Sequence, residues 1–417
     1  MKKLAFVAVV VILLFSSLTL NAQSAKKPIE ITFWSLFTGG DGEFFDAMVK
    51  AFNASQSEII MKADTVKFDN YYTKLTTALA AKTAPDVVII HQHELINYVP
   101  NGVLMPLDDY LKKANVDLTD FEAAPLNACK TNGKIYAIPL DVHPFIMFYN
   151  KDLLSKAGIT NIPKTLPELY AAGKAVQEKT DAIGIAADNT TATYKAYTLT
   201  RFFMALLMQQ GVSTLNESNT KANFNNEAGI KAYQAIYDMM ITNNLTPKGM
   251  DYDSSVATFK LGKAAFHLNG VWVTGLFEEQ KDLNFGAIPL PAFLGKPASF
   301  AGSHTFAVPV QSKLNEQNVL AVMKFIDWIT AHGEMWAKAG HIPTRKSVIA
   351  KLEFKALPHR AEYADAVKTA FGPPATTKWA SVNDVISDAL EEGIALKKDA
   401  KTTLSQMEKT VNDILKK

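Results

Sequence analysis

Between Val87 and Ile90 the chain reads Val-Val-Ile-Ile, introduced by Pro85-Asp86 and followed by the polar run His91-Gln-His-Glu94. A strand with no polar alternation offers water no face, so it belongs in a sheet covered on both sides. That requirement constrains the fold more than anything else in the chain, because helices must lie on either side of the sheet. The flanking sequence supplies them. Ile29-Glu-Ile-Thr-Phe-Trp34 alternates with period two and runs into a Gly-rich turn, Thr38-Gly-Gly-Asp-Gly42. Residues 43–53 follow with Phe44, Phe45, Met48, Val49 and Phe52 spaced for one helical face. Thr165-Leu-Pro-Glu168 has the pattern of a capping box with Pro in the first turn, opening a helix that runs to Lys179. Further strands are expected at 264–268, 284–288 and 305–308, and the tail 381–417, which lacks Pro, reads as helical. Short strands alternating with longer amphipathic helices define an α/β chain.

The amino terminus reads differently. Lys2 and Lys3 precede an apolar stretch from Leu4 to Phe15, and polar and small residues follow, with cleavage expected after Ala22 or Ser24. The stretch falls short of the roughly 20 residues that cross a bilayer. Residues 1–23 are therefore assigned to a cleavable signal peptide. With no cysteine near the cleavage region a lipid anchor is not expected, and the destination is the periplasm. A mature chain of about 395 residues accommodates two domains of ordinary size. Lys and Arg total 43 against 41 Asp and Glu, and two lysines leave with the leader, so the mature charge is near zero. Nucleic-acid and anionic-membrane binding both need a basic footprint that this balance does not supply. Cys129 is the single cysteine, so no internal disulfide can form.

Several reaction classes fail on inspection. The chain has no Gly-x-Ser-x-Gly elbow, no phosphate-binding Gly-x-x-x-x-Gly-Lys-Ser/Thr, and no Gly-x-Gly-x-x-Gly after its first strand. His93-Glu-Leu-Ile-Asn97 resembles a zincin helix but carries Asn97 where the second histidine must stand. The Gly-Gly-Asp-Gly turn could hold an anion on its backbone N–H groups, and Asp41 argues against it. His91 and His93, two apart on a strand, could chelate one ion with His143 and His304. Most histidines of this kind are hydrogen-bonding side chains, so no metal and no cofactor are expected.

The ordered segments resemble the extracellular solute-binding proteins of family 1, the maltose-binding-protein-like group of ABC transporter sugar receptors. The series runs from the opening strand into Trp34 through 85–94, Asn101-Gly-Val-Leu104, Gly133-Lys-Ile-Tyr-Ala-Ile-Pro139 and Phe148-Tyr-Asn-Lys-Asp-Leu-Leu154. It continues with Phe259-Lys-Leu-Gly-Lys-Ala-Ala-Phe266, Asn269-Gly-Val-Trp272, Phe285-Gly-Ala-Ile-Pro-Leu-Pro291 and Gly340-His-Ile-Pro-Thr-Arg345. The resemblance implies a two-lobed, type II-like periplasmic-binding-protein fold with a central cleft and hinge crossings near 141–145, 287–291 and 331–340. The lobes are expected at 28–141 plus 291–335 and at 142–290 plus 336–417. Open α/β sheets bind ligands at the carboxyl ends of their strands. Those ends supply Asp41, the set His91, Gln92, His93 and Glu94, then Asp141 and His143, then Gly302, Ser303 and His304. The family places a stacking Trp at Gly-x-Trp, here Trp272. A sugar's C–H face packs on such a ring while its hydroxyls need replacement hydrogen bonds. Trp34, Tyr197 and Trp379 are further platform candidates, and Arg201 could clamp a charged group.

The chain departs from the maltose-binding pattern. His93-Glu94 stands where that relative has Asp then Arg, and His143 stands where it has Glu, which points away from long maltodextrins. What the resemblance implies is a periplasmic component of an ABC importer, not an enzyme, that binds a mono- or disaccharide or polyol and hands it to a membrane permease as a monomer. The alternatives are a binder of an anionic solute such as a glycerol phosphate, or a periplasmic carbohydrate-active enzyme.

Overall fold

The computed structural model describes residues 27–190, 197–311 and 314–417, so the expected signal peptide lies outside the described residues. Five strands form the first sheet: β1 (Ile29–Ser35), β2 (Ile59–Thr65), β3 (Val87–His91), β6 (Ala137–Pro139) and β12 (His304–Ala307). Their order is β2-β1-β3-β12-β6. β3 is the central strand, parallel to β1 and antiparallel to β12, and Val87 to Ile90 are all fully buried. The apolar run therefore marked a strand covered on both faces, although only one of its neighbours is parallel. Helix Gly42–Ser55 covers one part of this core through Phe45, whose ring centroid lies 5.3 Å from that of Phe33. Helix Glu316–Ala331 seals it again through Phe325, 5.9 Å from Phe306 and 6.0 Å from Phe33. A small hairpin, β4 (Lys130–Thr131) with β5 (Lys134–Ile135), lies between.

The second sheet is organised by one long strand, β7 (Asp141–Asn150). Its first residues pair with β13 (Ile342–Pro343) and β11 (Ser299–Gly302). Its later residues lie between β9 (Ala264–Gly270) and β10 (Phe285–Pro289), all antiparallel. β8 (Ile183–Ala186) joins β9 in parallel, and β14 (Ala370–Phe371) joins β11. The capping box forms as read: Thr165 Oγ1 accepts from the Glu168 N–H and the Glu168 carboxylate accepts from the Thr165 N–H. The carboxyl-terminal tail is helical as expected and consists of two helices, Trp379–Ala395 and Ala400–Leu415. Lys397 takes φ 53°, the Lys398 N–H returns to Gly393 O, and the Asp399 side chain caps the new helix on Thr402 N.

Apolar burial follows the two sheets. One cluster joins side chains between Ile31 and Leu140 with those between Phe306 and Ala339. Two others draw on Phe145 to Phe300 and on Ile342 to Val411. Leu290, Phe293 and Phe300 thus pack with the second sheet, while Trp336 and Ala339 pack with the first. The chain passes between sheets from Pro139 to Asp141, from Gly302 to His304, and from Ala339 to Ile342. The second passage falls at Ser303, not at 287–291, because β10 and β11 both remain paired to β7. Among the described residues no helix is long and apolar enough to cross a membrane.

Candidate functional site

The three passages lie side by side, and the chemistry-bearing residues gather there. Asp141, the first residue of β7, is fully buried. Its Oδ1 accepts from His143 Nδ1 at 2.9 Å and from the His304 backbone N–H at 3.0 Å. Its Oδ2 accepts from His304 Nδ1 at 2.8 Å and from Trp336 Nε1 at 2.6 Å. His341 Nδ1 lies 3.1 Å from the same oxygen, and His341 Nε2 lies 3.4 Å from Asp41 Oδ2. These are charge contacts rather than aligned hydrogen bonds, since neither His341 nitrogen has a hydrogen-bond partner among the described residues. The His341 ring is held flat against Trp336, 4.2 Å between centroids and 8° between planes.

Burial and charge set the protonation of this group. Burial opposes the charge on Asp141, but the imidazoles of His304, His341 and His143 hold its carboxyl well below the usual range. Burial also opposes charge on His341, yet the Asp141 carboxylate outweighs it and the ring is pushed up to about 9. His143 goes the other way, to about 3, because burial and the neighbouring His304 outweigh Asp141.

The ends of β1 and β3 face this group from the first sheet. The Tyr72 hydroxyl accepts the His91 backbone N–H at 3.0 Å and lies 2.6 Å from His91 Nδ1. The hydroxyl thus holds both the backbone and the ring of His91 in place. Burial and the rings of His304, His93 and His143 push His91 well below its ordinary value. The His91 and His304 centroids are 4.8 Å apart. His93 Nε2 sits 3.4 Å from Glu94 Oε1, and Asn97 donates to Glu94 Oε2 at 2.7 Å. Asp41 accepts from the Gly39 N–H at 3.3 Å, so its carboxylate occupies the turn that an anion would need.

From the second sheet comes an aromatic group. Trp272 is half-buried beyond the end of β9, and its Nε1–H donates to Tyr252 Oη at 2.6 Å. The Tyr197 and His143 rings stand nearly perpendicular to the Trp272 ring, with centroids 5.5 and 5.7 Å away. Gly270 makes the ring's position possible, since a Cβ there would lie 1.8 Å from it. Gly302 does the same for His143, whose Nε2 would meet a Cβ at 2.2 Å. The first-sheet turn at Gly39 and Gly40 lies over Trp272 and Leu276, so the two halves meet at the ring. Arg201 stacks on Tyr197, with Cζ 3.8 Å from the centroid, and packs 4.9 Å from Phe300.

The fold thus brings Asp41, His91, His93, Glu94, Asp141, His143, Tyr197, Trp272, Gly302, Ser303 and His304 to one interlobe region. Ser303 Oγ is buried there with no hydrogen-bond partner among the described residues. Three expected residues stand apart. Gln92 gives its side-chain amide to Ala128 O, Trp34 packs under Lys74, and Trp379 is buried in the second core. Tyr72, Tyr252, Trp336 and His341 are additions that sequence reading missed. His341 stood in a quoted segment, but nothing local marks it as lying beside Asp141, 200 residues away.

Residues 38–336 match the family described as bacterial extracellular solute-binding protein. The arabinooligosaccharide-binding protein of Bacillus subtilis (strain 168) is 28% identical over 393 residues, covering 89% of this chain and 87% of that one. The diacetylchitobiose binding protein DasA of Streptomyces coelicolor is 25% identical over 362 residues, covering 85% and 82%. Among solved structures, maltose-bound MalE3 of T. maritima superposes with TM-score 0.82 at 22% identity, over 93% of this chain and all of that one.

Proposed function

The chain belongs to the bacterial extracellular solute-binding protein family, and from that premise we propose that it is the carbohydrate receptor of an ABC importer. The two-lobed maltose-binding-protein-type fold is common to it and its structural neighbours. The observation that carries the carbohydrate reading is the aromatic group at the interlobe face: Trp272, held by Tyr252, flanked by Tyr197, and linked through the His143 ring to His91 and His93 of the first sheet. A ring half open to the cleft offers a stacking face for sugar C–H groups, and the facing polar side chains can replace water at the hydroxyls. Relatives named for arabinooligosaccharide and diacetylchitobiose support the same class of ligand.

The ligand in this reading is a neutral mono- or disaccharide or polyol. The guanidinium of Arg201 is stacked on Tyr197, which disfavours a phosphorylated solute. Asp141, His143 and His304 form the floor. We place the lobe boundary at the passages 139–141, 302–304 and 339–342, and hinge motion there closes one lobe over ligand held by the other. The permease then reads the closed form. A leader cleaved after Ala22 or Ser24, release to the periplasm and a monomeric receptor complete the proposal. Relatives and family alike are binding proteins, so the saccharide is returned unchanged.

A thermal-shift screen of the mature chain against saccharides, polyols and glycerol phosphates tests this reading, since a ligand bound only by the folded state raises Tm. A shift with one neutral sugar recovered intact is expected. Shifts confined to phosphates, or conversion of the sugar, would contradict it.

A further inference from the structure

We propose that Asp141, His143, His304 and His341 form a binding site for one first-row transition-metal ion of the zinc class, at the junction of the three interlobe passages. One donor atom from each of the four lies within 4.8 Å of the other three, and all four side chains are buried. The Nδ1 atoms of His143, His304 and His341 stand 2.9, 2.8 and 3.1 Å from Asp141 oxygens. A tetrahedral site with bonds of about 2.0–2.1 Å has edges of ~3.3 Å, so an ion would replace the protons that His143 and His304 share with Asp141 and draw in donor atoms that now lie within 4.8 Å of one another. Three imidazoles and one carboxylate suit zinc and its neighbours, whereas calcium and magnesium prefer oxygen.

The independent observation is His341. It is fully buried, locked against Trp336 and directed at Asp141, yet neither ring nitrogen has an aligned hydrogen-bond partner among the described residues. Among the described residues its nitrogens are held by the charges of Asp141 and Asp41, and a directional bond would satisfy Nδ1 more fully. An ion on Nδ1 would do so, and Asp41, 3.4 Å from Nε2, stands where the outer carboxylate of a carboxylate–histidine–metal arrangement stands. Asp41 and Asp141 together neutralise a divalent charge. Trp336 Nε1–H and the His304 backbone N–H already hold the Asp141 carboxylate in orientation. The pair His91 and His93 is not part of the site, because Tyr72 occupies the Nδ1 of the first and Glu94 faces the second.

The ligands come from different passages: Asp141 and His143 from the first, His304 from the second, His341 from the third. A bound ion would pin the passages together, so it should change stability whether or not sugar is present.

The test is titration of the chelator-treated mature protein with Co2+, read by visible absorption, and with Zn2+, read by bound metal after gel filtration and by Tm. The proposal expects one equivalent of either ion, tetrahedral Co2+ bands and a raised Tm with Zn2+. His341→Gln should abolish the bands in a protein whose circular dichroism is unchanged. Asp41→Asn keeps all four ligands and should weaken Zn2+ roughly 10- to 100-fold. Wild-type protein that retains no metal, shows no bands and melts at the same temperature with and without Zn2+ would overturn the proposal, leaving a proton on His341 as occupant of that space. Bands undiminished in His341→Gln would overturn it equally, whatever the fold of the other variants.

Discussion

Individual side chains at the interlobe face owe their positions to what is missing beside them. Gly270 leaves the space that the Trp272 ring fills, so Gly270→Ala should push the ring aside without breaking β9. Trp272→Ala should weaken sugar binding by about 1–3 kcal/mol through loss of stacking and buried area. Gly270→Ala should lose a similar amount, and calorimetric titration of the two folded variants checks both. Affinity unchanged in Trp272→Ala would return the ring to a packing role. His91 could be picked out from sequence because it ends an apolar strand, and Trp272 and Asp141 because the family resemblance places a Trp and a lobe crossing there. Tyr72, Tyr252 and His341 could not, because their roles rest on partners 19, 20 and 200 residues away.

Elements were legible where local chemistry decides them. The capping box, the alternating β1 and the apolar β3 needed only neighbours in sequence. The second passage was misplaced because pairing to β7, a long-range property, keeps both β10 and β11 in the second sheet. The third passage has its own clamp. Arg360, 1% exposed, donates to Ala337 O at 2.7 Å, to Lys338 O at 2.5 Å and to Pro358 O at 2.7 Å, and pairs with Glu278. Arg360→Met should destabilise the protein by about 3 kcal/mol, the lower end for a broken buried pair because Glu278 is partly wet. Adding Glu278→Gln should recover part of that loss. Urea denaturation measures both, and an undiminished midpoint in the single variant would show that the clamp contributes nothing.

At the largest scale the two large sheets meet at a buried carboxylate, with a first-sheet turn resting on a second-sheet tryptophan. That contact between halves makes closure measurable. Small-angle scattering of the mature chain should show a more compact particle with saturating sugar than without it. Superimposable curves would remove hinge closure from the account. The two-lobed plan was legible as a whole because the family resemblance extends from Ile29 to the carboxyl-terminal helices. The ligand was not, since His93-Glu94 and His143 change the polar rim and leave no motif for a particular sugar. Carbohydrate binding is tested most simply by calorimetric titration of the protein with the saccharide that raises Tm most. One site per chain, a sugar recovered intact and weaker binding in Trp272→Ala are expected. No binding to any saccharide, or a sugar consumed during the titration, would contradict the proposed function.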